Sequence, residues 1–475
     1  MTSTAEQPEV KSLKPPRFAL LQRVMVRSLL PIGMLCFAAG LPYYLIGDGK
    51  DRFHELQALL EHGTLSAGRY SLIGPIFATP LFLLGEWLGT AEAGVALFNV
   101  LLFLVSLAAL HRLLRPWMEE RTLRVFLLLL LFGSMFPANL AMTFYGETFT
   151  AMFVAVGLVA AVVARTLWRR LGWAAVALGV ANSPGTIIGL GLVVLERLWR
   201  TRRWRYALVG VLALGLIMGE SLIRRGSIFA TGYSSDHGPT TFMPFSGLPG
   251  FSYPFLFGLL AIFLSFGKGL IFYVPGLFLP MRKHLAALGA AGQKLATIYR
   301  LWLLFVAGLV LLYAPWWGWN GDWFWGPRFF LIACLPASFA LAYWTQRPSD
   351  KLWLNLVALG VLALSLWVGL DSAVFSTSNL AICQTNDYHF IVLCQFTPEF
   401  SPLFHPLTAL YQLGFSSQWV AAELPWPTTR AFAAFAPVAA LYIAYPLLRA
   451  LRRQLATLIP SRAQMWQTLR LGWRF

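Results

Sequence analysis

Apolar runs recur along the whole 475-residue chain at lengths that fit a bilayer. A helix needs roughly 20 such residues to cross. Crossings are predicted near 28–46, 93–110, 125–138, 148–164, 206–223, 301–315, 329–346, 352–370 and 431–448. The short alternating segments of a β-barrel are missing, and the interspersed Gly and Pro are tolerated in membrane helices. Two further stretches need a break. Residues 171–199, "LGWAAVALGVANSPGTIIGLGLVVLERLW", carry Arg clusters on both flanks, so the segment goes in and comes back. It is too short for two full spans and is read as two short helices hinged at "NSPG", 182–185. Residues 252–281 make one net crossing, with a break at "SFGKG", 265–269, that separates an outer apolar helix from a span. Backbone exposed at membrane depth survives only where protein covers it or a cavity meets it. The predicted fold is all-α and polytopic, with about 12 transmembrane helices, some short or broken, over 28–448.

Composition agrees. The chain is 58% hydrophobic and 12% charged, where soluble domains average about 25% charged residues, and its mean hydropathy is +0.64. A net charge of +17 would suit nucleic acid, but its distribution excludes that reading. Segments 1–27, 111–124, 165–170, 197–205, 282–300, 347–351 and 449–474 hold 29 of the 37 Lys and Arg, and the rest of the chain is net acidic. By the positive-inside rule these basic segments face the cytoplasm, and they attract anionic lipid there. Residues 1–27 form a basic N-terminus without a short cleavable signal and 449–475 a basic C-terminus, both expected inside. Segments 47–92, 139–147, 224–253, 316–328 and 371–430 are then extracytoplasmic. The last carries Cys383 and Cys394, a candidate disulfide on the oxidising side. Cys36 and Cys334 lie in apolar spans as packing residues.

Several charges break the pattern. Lys50, Arg52, Arg69, Arg224, Arg225, Lys268, Arg328 and Arg430 lie on the face where basic residues are disfavoured. Arg224, Arg225, Lys268 and Arg328 border spans, beside Gly or aromatic residues. A cation held there has an anionic partner: a substrate phosphate, which Arg binds in bidentate fashion, a lipid headgroup, or an internal carboxylate. Asp48 stands between two glycines after the first span, and from Asp51 the chain reads as an amphipathic interfacial helix with Phe53, Leu56, Leu59 and Leu60 on one face and a stop at Gly63. Glu55 and Glu61 are expected on its watery side. Glu147 opens the fourth span, where a carboxylate suits a helix N-terminus. No metal-ligand spacing, Walker loop or dinucleotide fingerprint occurs, so no cofactor is identified, and dependence on a divalent metal stays open.

In order along the chain come "GDGKDRFHELQALLEHGTLS", "YSLIGPIFATPLF", "YGE", "RRGSIFATGY", "SFGKGLIFYVPGLFLP" and "WWGWNGDWFWGPRFFLIACLP". This layout resembles the GT-C class of integral-membrane glycosyltransferases, specifically the bacterial relatives of protein O-mannosyltransferases and of the aminoarabinose transferase for lipid A. The resemblance covers most of the chain. It implies a GT-C-like bundle in a bacterial cytoplasmic membrane, a polyprenyl-phosphate sugar donor, and transfer outside that membrane to an unidentified glycan, lipid or protein acceptor. It places the catalytic acid at Asp48 or Asp51, with Glu147 as a second acid. The family commonly pairs adjacent acids, whereas "GDGKD" spaces them by three, so both stand as candidate bases. Arg224, Arg225, Lys268 and Arg328 would grip the carrier phosphate. Tyr233, which closes "RRGSIFATGY", and Trp319 and Asp322 in the Trp-rich loop would complete the substrate contacts. Such transfer needs one carboxylate to take the acceptor's proton and cations to hold the leaving phosphate. A transporter or flippase of lipid-linked glycans is the alternative. Transporters usually carry internal repeats, and none relates the two halves here.

Overall fold

A computed structural model describes residues 17–41, 43–233, 236–322, 324–375, 381–407, 411, 414 and 427–458. The ends of the two basic termini, Trp323 and much of 371–430 lie outside the described residues. The protein is an all-α polytopic membrane protein. Seven helices are long and apolar enough to cross a membrane: Ala91–Leu114, Gly146–Val163, Trp204–Arg225, Gly289–Tyr313, Arg328–Gln346, Leu352–Val374 and Arg430–Thr457. Ser28–Gly40 and Phe255–Leu264 are shorter apolar helices. Among the described residues no strand occurs, only the isolated bridges Tyr44 to Met142 and His237 to Pro249.

The spans divide by what surrounds them. Arg328–Gln346 and Gly146–Val163 are 89% and 72% buried within the protein over their most apolar windows. Beside them, Val125–Phe132 of the helix Glu120–Phe132 is apolar and buried all round, as a helix without a polar face must be in a bundle core. Trp204–Arg225 is only 17% buried, and exposed Leu208, Val211, Leu222 and Ile223 present the side chains that lipid would cover.

The expected hinge is present. Thr166–Asn182 and Ile187–Thr201 are separate helices joined through a short turn at Pro184–Thr186. Asn182, buried at the turn, donates to the Gly146 carbonyl at 2.9 Å and the Thr150 hydroxyl at 3.1 Å, and accepts from the Gly74 amide at 3.1 Å. Those bonds satisfy the broken backbone's neighbours and stitch the hinge to the segment around Gly74.

Two expectations change. Phe255–Leu264 is the outer helix before "SFGKG", but beyond the break the chain forms only Leu270–Tyr273 and a tight turn at Pro275–Phe278. Pro275 has no amide hydrogen to continue a helix, so this crossing is not a continuous span. Leu352–Val374 runs past the expected boundary at 370 and carries Asp371, fully buried, instead of releasing it into the outer loop.

Candidate functional site

The site begins with how the first outer loop is held. The Tyr44 amide donates to the Ala141 carbonyl, and the Thr143 amide to the Tyr44 carbonyl, each at 2.9 Å. This pins the approach to Asp48 against the approach to Glu147. Gly49 permits the fit, since a Cβ there would stand 2.2 Å from the Thr143 carbonyl oxygen. The interfacial helix spans Asp48–His62, starting three residues earlier than its amphipathic pattern, and ends on Gly63 in the left-handed region at φ 63°. Phe53 and Leu56 are buried beneath it.

Arg328 enters from the far end of the chain and closes the centre. Its Nη1 donates to the Asp48 carboxylate at 2.8 Å, and its Nε lies 3.7 Å from Glu147. The guanidinium carbon stands 5.1 Å from the Tyr145 and Phe329 ring centres and 5.5 Å from that of Phe324, an arrangement that favours a cation. Its Nε hydrogen is buried and has no acceptor within hydrogen-bond distance. Burial acts to raise the Asp48 pKa, but Arg328, the hydrogen bonds from Tyr70 and Arg328, and the Arg52 charge outweigh it and hold the carboxyl below its ordinary value. The resting centre is a carboxylate locked to a guanidinium.

Arg328 is aimed by the loop before it. Buried Lys268 donates from Nζ to the carbonyls of Asp322 at 2.9 Å and Gly326 at 3.1 Å, and to that of Phe324. From the other side, Trp325 donates its indole N–H to Asp371 at 2.9 Å. Lys268 therefore spends its hydrogens on the backbone that presents Arg328.

The remaining candidates fall into separate places. Arg224 donates to Glu55 at 2.9 Å, to Glu220 at 2.8 Å and to the Ser66 carbonyl at 2.9 Å, and also to the Tyr70 carbonyl. Arg225 binds the Gly68 carbonyl through two nitrogens. These two clamp the 66–70 segment to the end of the helix Ala207–Arg225 and are brought to that loop, not to Asp48. Glu55 is correspondingly not on a watery face. Its side chain is 11% exposed and paired with Arg224, because the helix lies against this loop. Asp51 is exposed. Tyr233 is within electrostatic reach of Arg52, Arg69, Asp48 and Glu147. Trp319 and Asp322 line an adjacent cleft. Cys383 and Cys394 are joined as a disulfide, their Cα atoms 6.2 Å apart. Among the described residues no three His, Cys, Asp or Glu side chains gather as a metal site.

Three participants were not selected from sequence. Arg52 is buried, donates to the Ser71 carbonyl at 3.1 Å, and leaves its Nε unpartnered. A Cβ on Gly146 would stand 2.6 Å from its Nη2, so only glycine beside Glu147 admits it. The spacing of Asp48 and Arg52, four residues apart on one helix face, was the available signal. Tyr70 stacks under Arg52, 4.8 Å from its guanidinium carbon, with its hydroxyl near enough to Asp48 to favour the ionised carboxyl. Glu220, inside an apolar span, accepts from the Ser71 hydroxyl at 2.6 Å and the Leu72 amide at 2.7 Å.

No family model matches the chain, and none of the curated proteins does. Two solved structures are similar in course. One is the crystal structure of ArnT from Cupriavidus metallidurans bound to undecaprenyl phosphate, at 17% identity over 89% of this chain and 76% of that one, with a TM-score of 0.48. The other is ArnT from the same organism in the apo state, at 17% identity over 92% and 78%, with a TM-score of 0.45. At these values, what the chain does is read from its own side chains.

Proposed function

We propose that the protein is a GT-C-type glycosyltransferase that moves a sugar from a polyprenyl-phosphate carrier to an acceptor hydroxyl at the extracytoplasmic face of a bacterial cytoplasmic membrane. The observation that carries this reading is the convergence of Asp48, Arg328 and Glu147, with one guanidinium hydrogen left unsatisfied. An open guanidinium hydrogen between two carboxylates offers an incoming phosphate a charge-assisted hydrogen bond.

The donor phosphate takes the open face of Arg328, with Arg52 as a second cation. As Arg328 shares its charge with phosphate, Asp48 loses the interaction that depresses its pKa and becomes a stronger base. The acceptor oxygen attacks the anomeric carbon as the bond from that carbon to the phosphate oxygen breaks. The acceptor proton passes to Asp48, and the electron pair leaves on the carrier phosphate, where the guanidinium stabilises it. Glu147 keeps Arg328 oriented between the two. Asp51, exposed on the helix, is the weaker candidate base.

The test is transfer by purified protein in detergent from a labelled polyprenyl-phosphate sugar into envelope extract. Wild type should transfer sugar with no sealed compartment present, which a flippase cannot do. Asp48→Asn should lose about 10²–10⁴-fold in kcat while keeping its Tm. Near-normal transfer by both Asp48→Asn and Asp51→Asn would sink the assignment.

A further inference from the structure

Beside the charged centre lies a second, half-open cleft whose lining has a different chemistry. Its walls come from three outer segments, around 238–253, 316–322 and 391–396. Trp317, Trp319 and Tyr253 supply aromatic surface, and Asn320, Asp322 and Gln395 supply polar groups. Among the described residues no Lys or Arg lines it, although cations crowd the centre next door. The cleft is also held in shape. The His389 ring meets the Thr240 carbonyl at 3.1 Å, the Gly267 amide donates to the Gln395 carbonyl at 2.9 Å, and the disulfide ties Cys394 to Cys383.

Two of its polar groups are unspent. The indole N–H of Trp317 is buried without an acceptor. Asp322, held at φ 63° by the turn in which its amide donates to Asn320 at 2.7 Å, makes no ion pair among the described residues. Buried polar groups are normally satisfied, so an open indole N–H beside an unpaired carboxylate in a preformed cleft points to a ligand that brings hydroxyls. Flat aromatic faces with a carboxylate and amides between them match a sugar ring, which is apolar on its faces and polar at its rim.

We propose that this cleft binds an uncharged saccharide unit, separately from the phosphate centre. The inference rests on the transferase reading and assigns it a sugar subsite. The two sites share a wall: a Cβ on Gly321 would stand 3.0 Å from Cγ of Arg328. The occupant is either the donor's own sugar or a sugar of a glycan acceptor, and their chemistry at the cleft is the same.

Saturation-transfer NMR of maltose and N-acetylglucosamine with the purified full-length protein in detergent tests it, and needs no turnover. At least one of the two should give a specific signal with wild type. Trp317→Ala and Asp322→Gly should each weaken that binding at least tenfold, glycine being free to adopt the positive φ at 322. Trp317→Ala should bind polyprenyl phosphate as wild type does. Displacement of the saccharide by a polyprenyl-phosphate sugar would assign the cleft to the donor's sugar. Simultaneous binding of both would assign it to an acceptor glycan. No saccharide signal with wild type, or an unchanged signal in both variants, overturns the proposal. Saccharide binding without any sugar transfer would instead overturn the transferase reading and leave the cleft standing.

Discussion

Arg224 and Arg328 satisfy the same rule of the sequence, each a cation at the end of a span expected to face the side where basic residues are disfavoured, and the fold gives them opposite employment. Arg224 is surrounded: two carboxylates and two carbonyls take its hydrogens, and 2% of its side chain is exposed. Arg328 has one short bond to Asp48, a longer approach to Glu147, and a buried Nε hydrogen with no acceptor. A saturated guanidinium holds a structure together, whereas an unsaturated one between two acids is available to a phosphate. Exposure alone would not separate them. The count of satisfied hydrogens does.

Breaking each arginine should therefore produce different damage. The largest effect belongs to Arg224→Met, which strands Glu55 and Glu220 beside an apolar side chain. Removing one partner of a buried pair costs about 3–5 kcal/mol, so its Tm in detergent should fall sharply while the folded fraction binds polyprenyl phosphate normally. Arg328→Lys keeps a charge but loses the fork. It should lower kcat by about 10²-fold or more with Tm nearly unchanged. If Arg328→Lys instead unfolds the protein and Arg224→Met abolishes transfer at full stability, the two employments are reversed.

A smaller effect sharpens the role of the loop that aims Arg328. Asp371→Leu removes the acceptor of the Trp325 indole, a loss of about 1–3 kcal/mol, and should raise the donor KM by about tenfold. Asp371→Asn retains an acceptor oxygen and should restore it. Equal defects in both variants would mean that Asp371 acts by charge and not by holding Trp325.

The smallest effect is a shift with pH. Asp48 has its carboxyl held below the ordinary value, so it stays ionised from neutral pH down through that lowered pKa and protonates only below it. Transfer should be lost there, on the acid limb of kcat/KM. Tyr70→Phe removes one hydrogen bond that favours the ionised form. The pKa rises, and the acid limb should move up by about one pH unit or less. A limb that moves down, or stays fixed, would remove Tyr70 from the centre.

The helices were legible because membrane spans announce themselves by length and apolarity, and the hinge because "NSPG" interrupts a segment with Arg on both flanks. The crossing after "SFGKG" misled because its apolar content satisfies a span while Pro275 forbids a continuous one. At the site, Arg328 was legible as a cation in the wrong place, Asp48 as an acid between two glycines and Glu147 as an acid at a helix start, but their meeting was not: Asp48 and Arg328 are 280 residues apart. Pairing also decided Arg224, Lys268 and Glu55. A sequence shows that a cation is out of place without showing which carbonyls and carboxylates are waiting for it. Glu220 hid for the opposite reason, as an acid within an apolar run, two of whose partners come from another loop.

The most direct test is the affinity of the purified protein for polyprenyl phosphate, compared between Arg328→Gln and Arg225→Gln. Both substitutions remove one guanidinium from the end of a span, but only the first touches the Asp48 and Glu147 centre. The account predicts at least tenfold weaker binding for Arg328→Gln and unchanged binding for Arg225→Gln. Wild-type affinity in Arg328→Gln would contradict it.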